Sequence, residues 1–278
     1  MTERSTVICG LPGSGKTTFL AALWHLITAR EIDTALRFGS LRNGDSAHLN
    51  AIASRWRNAE AQERTAVGSL RLVSMNLVAG DDSPMRLTFP DLSGEAYRRM
   101  WEERDCDADV ADVLIAGQGV ILFIHADEIQ APLWVVDVTD LTRRMGLPVE
   151  EGQEIPWSPR LAPTQVQLVE FLQLLRSPAL DVRAQRLAVM LSAWDKVASE
   201  GRTPETFLNE RLPLLDQYLR SGAGRWDWRT YGVSAQGGDF ATDAETLRAK
   251  DRPSTRIQVV AGTQESHDLT EPLAWLMG

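Results

Sequence analysis

The chain has only two cysteines, Cys9 and Cys106, in 278 residues, so it has no material for a disulfide framework and suits a reducing compartment. It also lacks any basic run: nowhere do five Lys or Arg follow one another, and 29 basic against 38 acidic side chains leave a net charge of −9. That balance argues against nucleic acid or an anionic membrane as the main partner. Long hydrophobic runs are missing as well. The most apolar stretch, 110–124, is interrupted by Asp112, Gly117 and Gln118, too often for a membrane span. A strand-prone run begins by residue 6, which leaves no room for a secretory leader in the sequence as read. The four histidines (His25, His48, His125 and His267) share no ligand spacing with the two cysteines, so no zinc site is expected. These absences lead to the expectation of a soluble, cytoplasmic protein.

What is present is more specific. Residues 10–17 read Gly-Leu-Pro-Gly-Ser-Gly-Lys-Thr and match the phosphate-binding loop pattern GxxxxGK[ST] at every fixed position. Gly10, Gly13 and Gly15 let the backbone bend so that successive N–H groups face phosphate oxygens, with Ser14 and Thr18 in the same stretch. Lys16 brings a positive charge to the β- and γ-phosphates, and the Thr17 hydroxyl suits Mg²⁺. The run Thr-Val-Ile-Cys at 6–9 predicts a strand before the loop. Phe19, Leu20, Leu23, Trp24 and Ile27 predict an amphipathic helix after it, about 15–30. The helix N-terminus then adds a dipole favourable to anions.

Strand and helix signals alternate through most of the length, which predicts a layered α/β fold. Residues 45–62 read as a helix, 69–79 and 85–89 as an antiparallel hairpin, and 95–117 as a helical segment. The apolar run 120–124 reads as a central parallel strand, 164–175 as a helix, and 187–191 as a second buried strand. Further on, 204–219 reads as one helix, 229–234 as a last strand, 236–255 as a loop, and 270–272 as the start of a closing helix capped by Thr270. Residues 128–163, with five prolines, read as irregular. One domain over 1–278, with insertions at about 31–62, 128–163 and 236–262, fits this pattern better than two. The nine tryptophans read mostly as packing, with Trp134 and Trp157 in the proline-rich excursion as a candidate partner surface.

Three later signals bear on which nucleotide the loop holds. Residues 87–94 read as a strand ending in Asp-x-x-Gly, where Asp91 is placed to hold Mg²⁺ through water and Gly94 to bring a backbone N–H to the γ-phosphate. The bland alternative is a simple turn. Residues 192–195, Ser-Ala-Trp-Asp, follow a buried strand at the place where a GTPase reads guanine with Asn-Lys-x-Asp. Asp195 keeps the acceptor for guanine N1–H and the 2-amino group, and adenine has neither donor. Ser192 and Ala193 stand where Asn and Lys are usual, and Lys196 or Trp194 is the candidate for the missing stacking surface. Residues 233–236 end the last strand with Ser234 and Ala235, close to the Ser-Ala-Lys that lines a guanine pocket.

In this order the motifs resemble the Ras-like, translation-factor-related (TRAFAC) class of P-loop GTPases. Within that class the phosphate-loop segment, the Phe-Pro-Asp-Leu-Ser-Gly-Glu segment at 89–95 and the Trp-Asp-Lys segment at 194–196 resemble the bacterial double-GTPase families of conflict, or defence, systems. The resemblance implies a three-layer, mostly parallel, doubly wound sheet with one antiparallel edge strand, and a Mg·GTP site at the strands' C-terminal ends. It implies GTP and GDP as ligands, slow hydrolysis without an activator, and a protein effector or activator as partner. It also points to Thr65 as the Mg²⁺-coordinating switch threonine; Arg64 beside it reads as an exposed loop arginine, the alternative being a positive charge supplied in cis to the transition state. Glu95 stands where Ras-like enzymes place a water-orienting glutamine; it is a candidate catalytic residue, and equally a first-turn helix acid. Two other readings stay open: a GTP-binding scaffold with little turnover, and an ATP-dependent ATPase or kinase.

Overall fold

The computed structural model describes residues 4–43, 46–62, 71–80, 82, 84–91, 99–132 and 158–278. Arg4–Gly10 forms β1, Lys16–Ala29 α1, Leu36–Asn43 β2, Ser46–Arg57 α2, Arg71–Ala79 β3 and Pro84–Asp91 β4. Ala108–Ala116 is α3, Gly119–His125 β5, Thr164–Arg176 α4, Arg186–Ser192 β6, Pro204–Arg211 α5 and Pro213–Arg220 α6. Asp227–Ser234 is β7, Ala244–Arg248 α7, Gln258–Ala261 β8, Gln264–Ser266 β9 and Glu271–Met277 α8.

Among the described residues the strands make one nine-stranded sheet in the order β2-β3-β4-β1-β5-β6-β7-β8-β9. The five central strands, β4 to β7 in that order, are parallel. The expectation of one antiparallel edge strand needs correcting, because pairing is antiparallel at both margins: β2 with β3, β3 with β4, β7 with β8, and β8 with β9. The sequence reading passed over β2 because Arg37, Gly39, Ser40, Arg42 and Asn43 break any apolar pattern. Leu36 is fully buried, and among the residues of β2 whose side chains are described it is alone in that. It overlooked β8 and β9 because they are only four and three residues long.

Side-chain alternation along the parallel strands feeds two separate cores. On one face Ile8, Ile121, Phe123, Ala188 and Met190 pack with α1, α2 and α8. On the other, Val7, Cys9, Val120, Leu122, Ile124, Leu187, Val189 and Leu191 pack with α3, α4, α5 and α6. Parallel strands covered on both faces have to be apolar on both, which is why β5 is buried over six consecutive residues.

α1 was expected to bury one stripe, but the whole run from Phe19 to Ile27 is buried. The cause is α2, which lies against α1 and covers the side turned away from the sheet. Trp24 Nε1 donates to Asn50 Oδ1 across that contact at 2.8 Å. α2 buries Leu49, Ile52, Ala53 and Trp56, the helical spacing seen in the sequence.

Other boundaries shift for local reasons. The helix expected over 95–117 is interrupted: residues 99–102 are helical, 104–107 are not, and α3 follows. The helix expected over 204–219 divides at Leu212, because Pro213 has no N–H to continue the ladder. The loop expected over 236–255 contains α7. Thr270 does occupy the N-cap position of α8, but its side chain does not cap. The hydroxyl donates to Asp268 Oδ1 at 2.6 Å and accepts from Leu36 N–H at 3.0 Å, so the residue ties β2 to the end of the chain. Among the described residues, no helix is long and apolar enough to cross a membrane.

Candidate functional site

The parallel strands all point one way, so their C-terminal residues share one margin of the sheet. Gly10 pairs with Phe123, His125 with Ser192, and Ser192 with Val233. β4 pairs with β1 through Val7 and Thr88, and extending that register by three residues brings Asp91 level with Gly10. Loops at this margin are where open α/β sheets hold ligands.

The 10–17 loop crosses from β1 to α1 here. Gly13 and Gly15 have φ of 74° and 85°, backbone values that L side chains rarely adopt. Gly10 is required for a different reason as well: a Cβ there would lie 2.5 Å from the Phe123 carbonyl oxygen on the neighbouring strand. Gly15 sits at the N-cap of α1, and no side chain caps the helix, so its first-turn N–H groups face the loop. Lys16 folds over this concavity, with Nζ donating to Gly10 O and Leu11 O, each at 2.9 Å, and to Ser14 Oγ at 3.2 Å. A cation held above a ring of N–H donors is an anion site. Cys9, just before the loop, is buried, its thiol pushed up to about 12 by desolvation despite the nearby Lys16 ammonium. It is no nucleophile.

One cleft joins this loop to the later motifs. Its walls include Gly13, Gly15 and Thr18 from the loop side, and Asp195, Ser234 and Ala235 from the ends of β6 and β7. Residues 180 positions apart in sequence therefore face the same space. Ser192 secures the junction: its hydroxyl donates to Ser14 O at 2.9 Å and also lies 3.3 Å from Ile124 O. Ser192 thus knits the end of β6 to the phosphate loop, and with Ala193 it also lines the cleft. Asp195 lies in a short 3-10 turn, Trp194–Lys196, entered through Ala193 in a left-handed conformation. Its Oδ1 accepts a hydrogen bond from Ser234 Oγ, and Gly237 N–H donates to that same hydroxyl at 3.1 Å.

The two candidates for a stacking surface separate. Trp194 points away, into the core: it is 2% exposed, meets Phe207 edge-on, and fills the space a Cβ on Gly232 would need. It gives the cleft no surface, so that part of the expectation is corrected. Lys196 does line the cleft and bridges the loops on either side, 3.6 Å from Asp127 and 3.7 Å from Asp239. His125 is also in the cleft wall, as are Phe123, Gln236, Gly238 and Asp239. Its place directly after the apolar run 120–124 was the available signal for His125. For Asp239, nothing in the sequence distinguishes it from a loop acid.

Thr17 sits half-buried in the first turn of α1 beside Lys16. Asp91 ends β4, its backbone level with the loop. Thr65, Gly94 and Glu95 lie outside the described residues, as do Arg64, Trp134 and Trp157.

A phosphate loop and a carboxylate from the end of β6 in one cleft is the arrangement a guanine-nucleotide site needs. Comparison with known families agrees: residues 7–276 match the model of the Double-GTPase 1 family. The chain belongs to that family. Membership in Double-GTPase 1 makes GTP hydrolysis the activity of the class to which this chain belongs. No curated protein matches the sequence. Among solved structures, the chain is similar to the Ski7 GTPase-like domain of S. cerevisiae bound to GTP (14% identity, TM-score 0.41), covering 85% of this chain and 43% of that one. It is also similar to Sup35 complexed with GDP (15% identity, TM-score 0.36), covering 85% and 38%. A second Ski7 structure, with GDP and inorganic phosphate, gives 12% identity and a TM-score of 0.43, covering 89% and 50%. This Double-GTPase 1 chain therefore spans half or less of the length of those structures.

Proposed function

We propose that the chain is a GTP-binding and GTP-hydrolysing switch that acts through a protein effector or activator, in a cytoplasmic bacterial defence setting. The observation that carries the reading is the shared cleft: Gly13, Gly15 and Thr18 of the phosphate loop at one end, Asp195 held by Ser234 at the other. The loop and Lys16 bind the phosphates. Asp195, Ser234 and Ala235 read the base, the carboxylate accepting from guanine donors that adenine does not have. The sheet with helices on both faces is read as the three-layer P-loop arrangement, one domain with insertions near 31–62, 128–163 and 236–262.

Mg²⁺ fits the residues at hand. Thr17 offers a hydroxyl in the first turn of α1, and Asp91 comes from the adjoining strand end. Oxygen donors few in number suit an ion that keeps waters and takes substrate phosphates as its other ligands. Bound there, it neutralises charge on the β- and γ-phosphates. Thr65 is proposed as a further Mg²⁺ ligand, Gly94 as a γ-phosphate contact, and Glu95 as the group orienting the attacking water.

Single-turnover GTP hydrolysis with Mg²⁺ tests this. Wild type is expected to turn over slowly, Lys16→Ala not at all, and Glu95→Gln and Glu95→Ala at rates that differ from wild type. Equal rates in wild type and both Glu95 variants remove Glu95 from catalysis. GTP binding by wild type without turnover supports the scaffold reading, and ATP turnover in place of GTP supports an ATPase.

A further inference from the structure

Trp56, near the end of α2, is the largest fully buried side chain among the described residues, at 0% exposure. Its one polar atom is aimed at the cleft wall: Nε1–H donates to the Ala235 carbonyl at 2.8 Å, a bond between residues 179 positions apart. The ring is held from the other side. Arg256, 5% exposed, stacks on it with Cζ 3.9 Å from the ring centroid. The same guanidinium donates to Trp56 O, and to Arg57 O and Leu247 O, each of the latter at 3.3 Å. The first two carbonyls belong to the C-terminal turn of α2, where unpaired C=O groups and the negative end of the dipole favour a cation. Burial pushes the Arg256 pKa down to about 10 against the pull of Glu31, so it remains charged at neutral pH.

The backbone of Arg256 presses on the same loop. A Cβ on Gly237 would lie 2.3 Å from Arg256 O, and Gly237 N–H is the donor that fixes the Ser234 hydroxyl under Asp195. The turn 234–237 is therefore clamped between Arg256 and Trp56, while its opposite side forms the cleft wall at Ala235 and Gln236. Residues remote from any nucleotide contact set the position of the groups proposed to read the base.

We infer that Trp56, braced by Arg256, is a positioning residue for base selection: its indole N–H holds Ala235 where the cleft discriminates guanine from adenine. The inference rests on the GTP reading above. It makes the 46–57 helix part of the nucleotide site and not a peripheral insertion. Removing the N–H frees the Ala235 carbonyl and lets the turn shift, so guanine-specific contacts weaken while phosphate contacts, on the far side of the cleft, do not.

The test is titration of Mg·GTP and Mg·ATP into wild type, Trp56→Phe and Arg256→Lys. Phenylalanine keeps an aromatic face for Arg256 and lacks the N–H; lysine keeps the charge and lacks the planar stack. Loss of one hydrogen bond at the site predicts a GTP Kd raised about 3- to 10-fold in Trp56→Phe. The ATP Kd is expected to hold, so the preference for GTP falls by the same factor. Arg256→Lys is expected to move the preference in the same direction. Reversible partial unfolding raises both apparent Kd values by the same factor, so the ratio of the two is the readout that survives it. Equal weakening for both nucleotides, or no change in the preference in either variant, overturns the inference and leaves the GTP reading standing. A wild type with no preference for GTP overturns both.

Discussion

Ser234 donates its hydroxyl to Oδ1 of Asp195, across the ends of two neighbouring parallel strands. The bond anchors one carboxylate oxygen and restricts how the Asp195 side chain can turn. The same hydroxyl accepts from Gly237 N–H, so its direction is set.

Ser234→Ala removes a hydrogen bond to a charged group. GTP affinity is expected to fall about tenfold, the usual worth of such a bond, with little change in melting temperature. Equilibrium titration with a fluorescent GTP analogue measures it; unchanged affinity detaches Ser234 from base recognition.

Lys16→Ala takes away the cation above the phosphate loop. Truncating one side of a close charge pair predicts a loss of about 100-fold in GTP affinity. The bonds Lys16 makes in the structure are to neighbouring loop carbonyls, so circular dichroism melting is expected to stay close to wild type.

Gly10→Ala probes the close approach of loop and sheet. Gly10 has φ of 149°, and a Cβ would meet Phe123 O at 2.5 Å and Ser14 Oγ at 2.8 Å. Main-chain displacement at the root of the loop is expected to cost about 2–3 kcal/mol and to abolish GTP binding, read by chemical denaturation and titration. An alanine variant as stable as wild type contradicts the packing described.

His25 gives a pH dependence with a definite sign. Burial lowers its pKa from 6.5; Glu31 at 3.3 Å partly offsets this, and Arg57 and Arg256 add to the lowering. In the unfolded chain the imidazole takes a proton near 6.5, while in the folded protein it does so only at lower pH. The unfolded state therefore binds more protons as pH falls below about 6.5, and stability drops through that window. His25→Gln is expected to flatten the melting temperature over pH 7.5 to 5.5. An identical slope in the variant removes His25 from the balance.

Much of the candidate cleft was legible in the sequence because its parts are local patterns. The loop at 10–17, the strand-end Asp195 and the Ser234-Ala235 pair each carry a signal within a few residues, and the apolar runs 120–124 and 187–191 order them along one sheet. What escaped depends on contacts between distant segments. Trp56 reads as a core residue of an amphipathic helix, and nothing near it in sequence announces Ala235 or Arg256. Ser192 reads as a departure from a motif, whereas its hydroxyl holds the phosphate loop to β6. β2 escaped because its pairing with β3, its tie to Thr270 and the bond from Ala35 N–H, just before it, to Asp268 supply the stability its own composition lacks.

The central claim is that Asp195 makes this cleft a guanine-nucleotide site. It is tested most directly by titrating GTP and ATP, with and without Mg²⁺, into wild type and Asp195→Asn. Wild type is expected to prefer GTP, to bind it more tightly with Mg²⁺, and to lose that preference in Asp195→Asn. A protein that prefers ATP, or an Asp195→Asn variant that keeps the full preference for GTP, contradicts it.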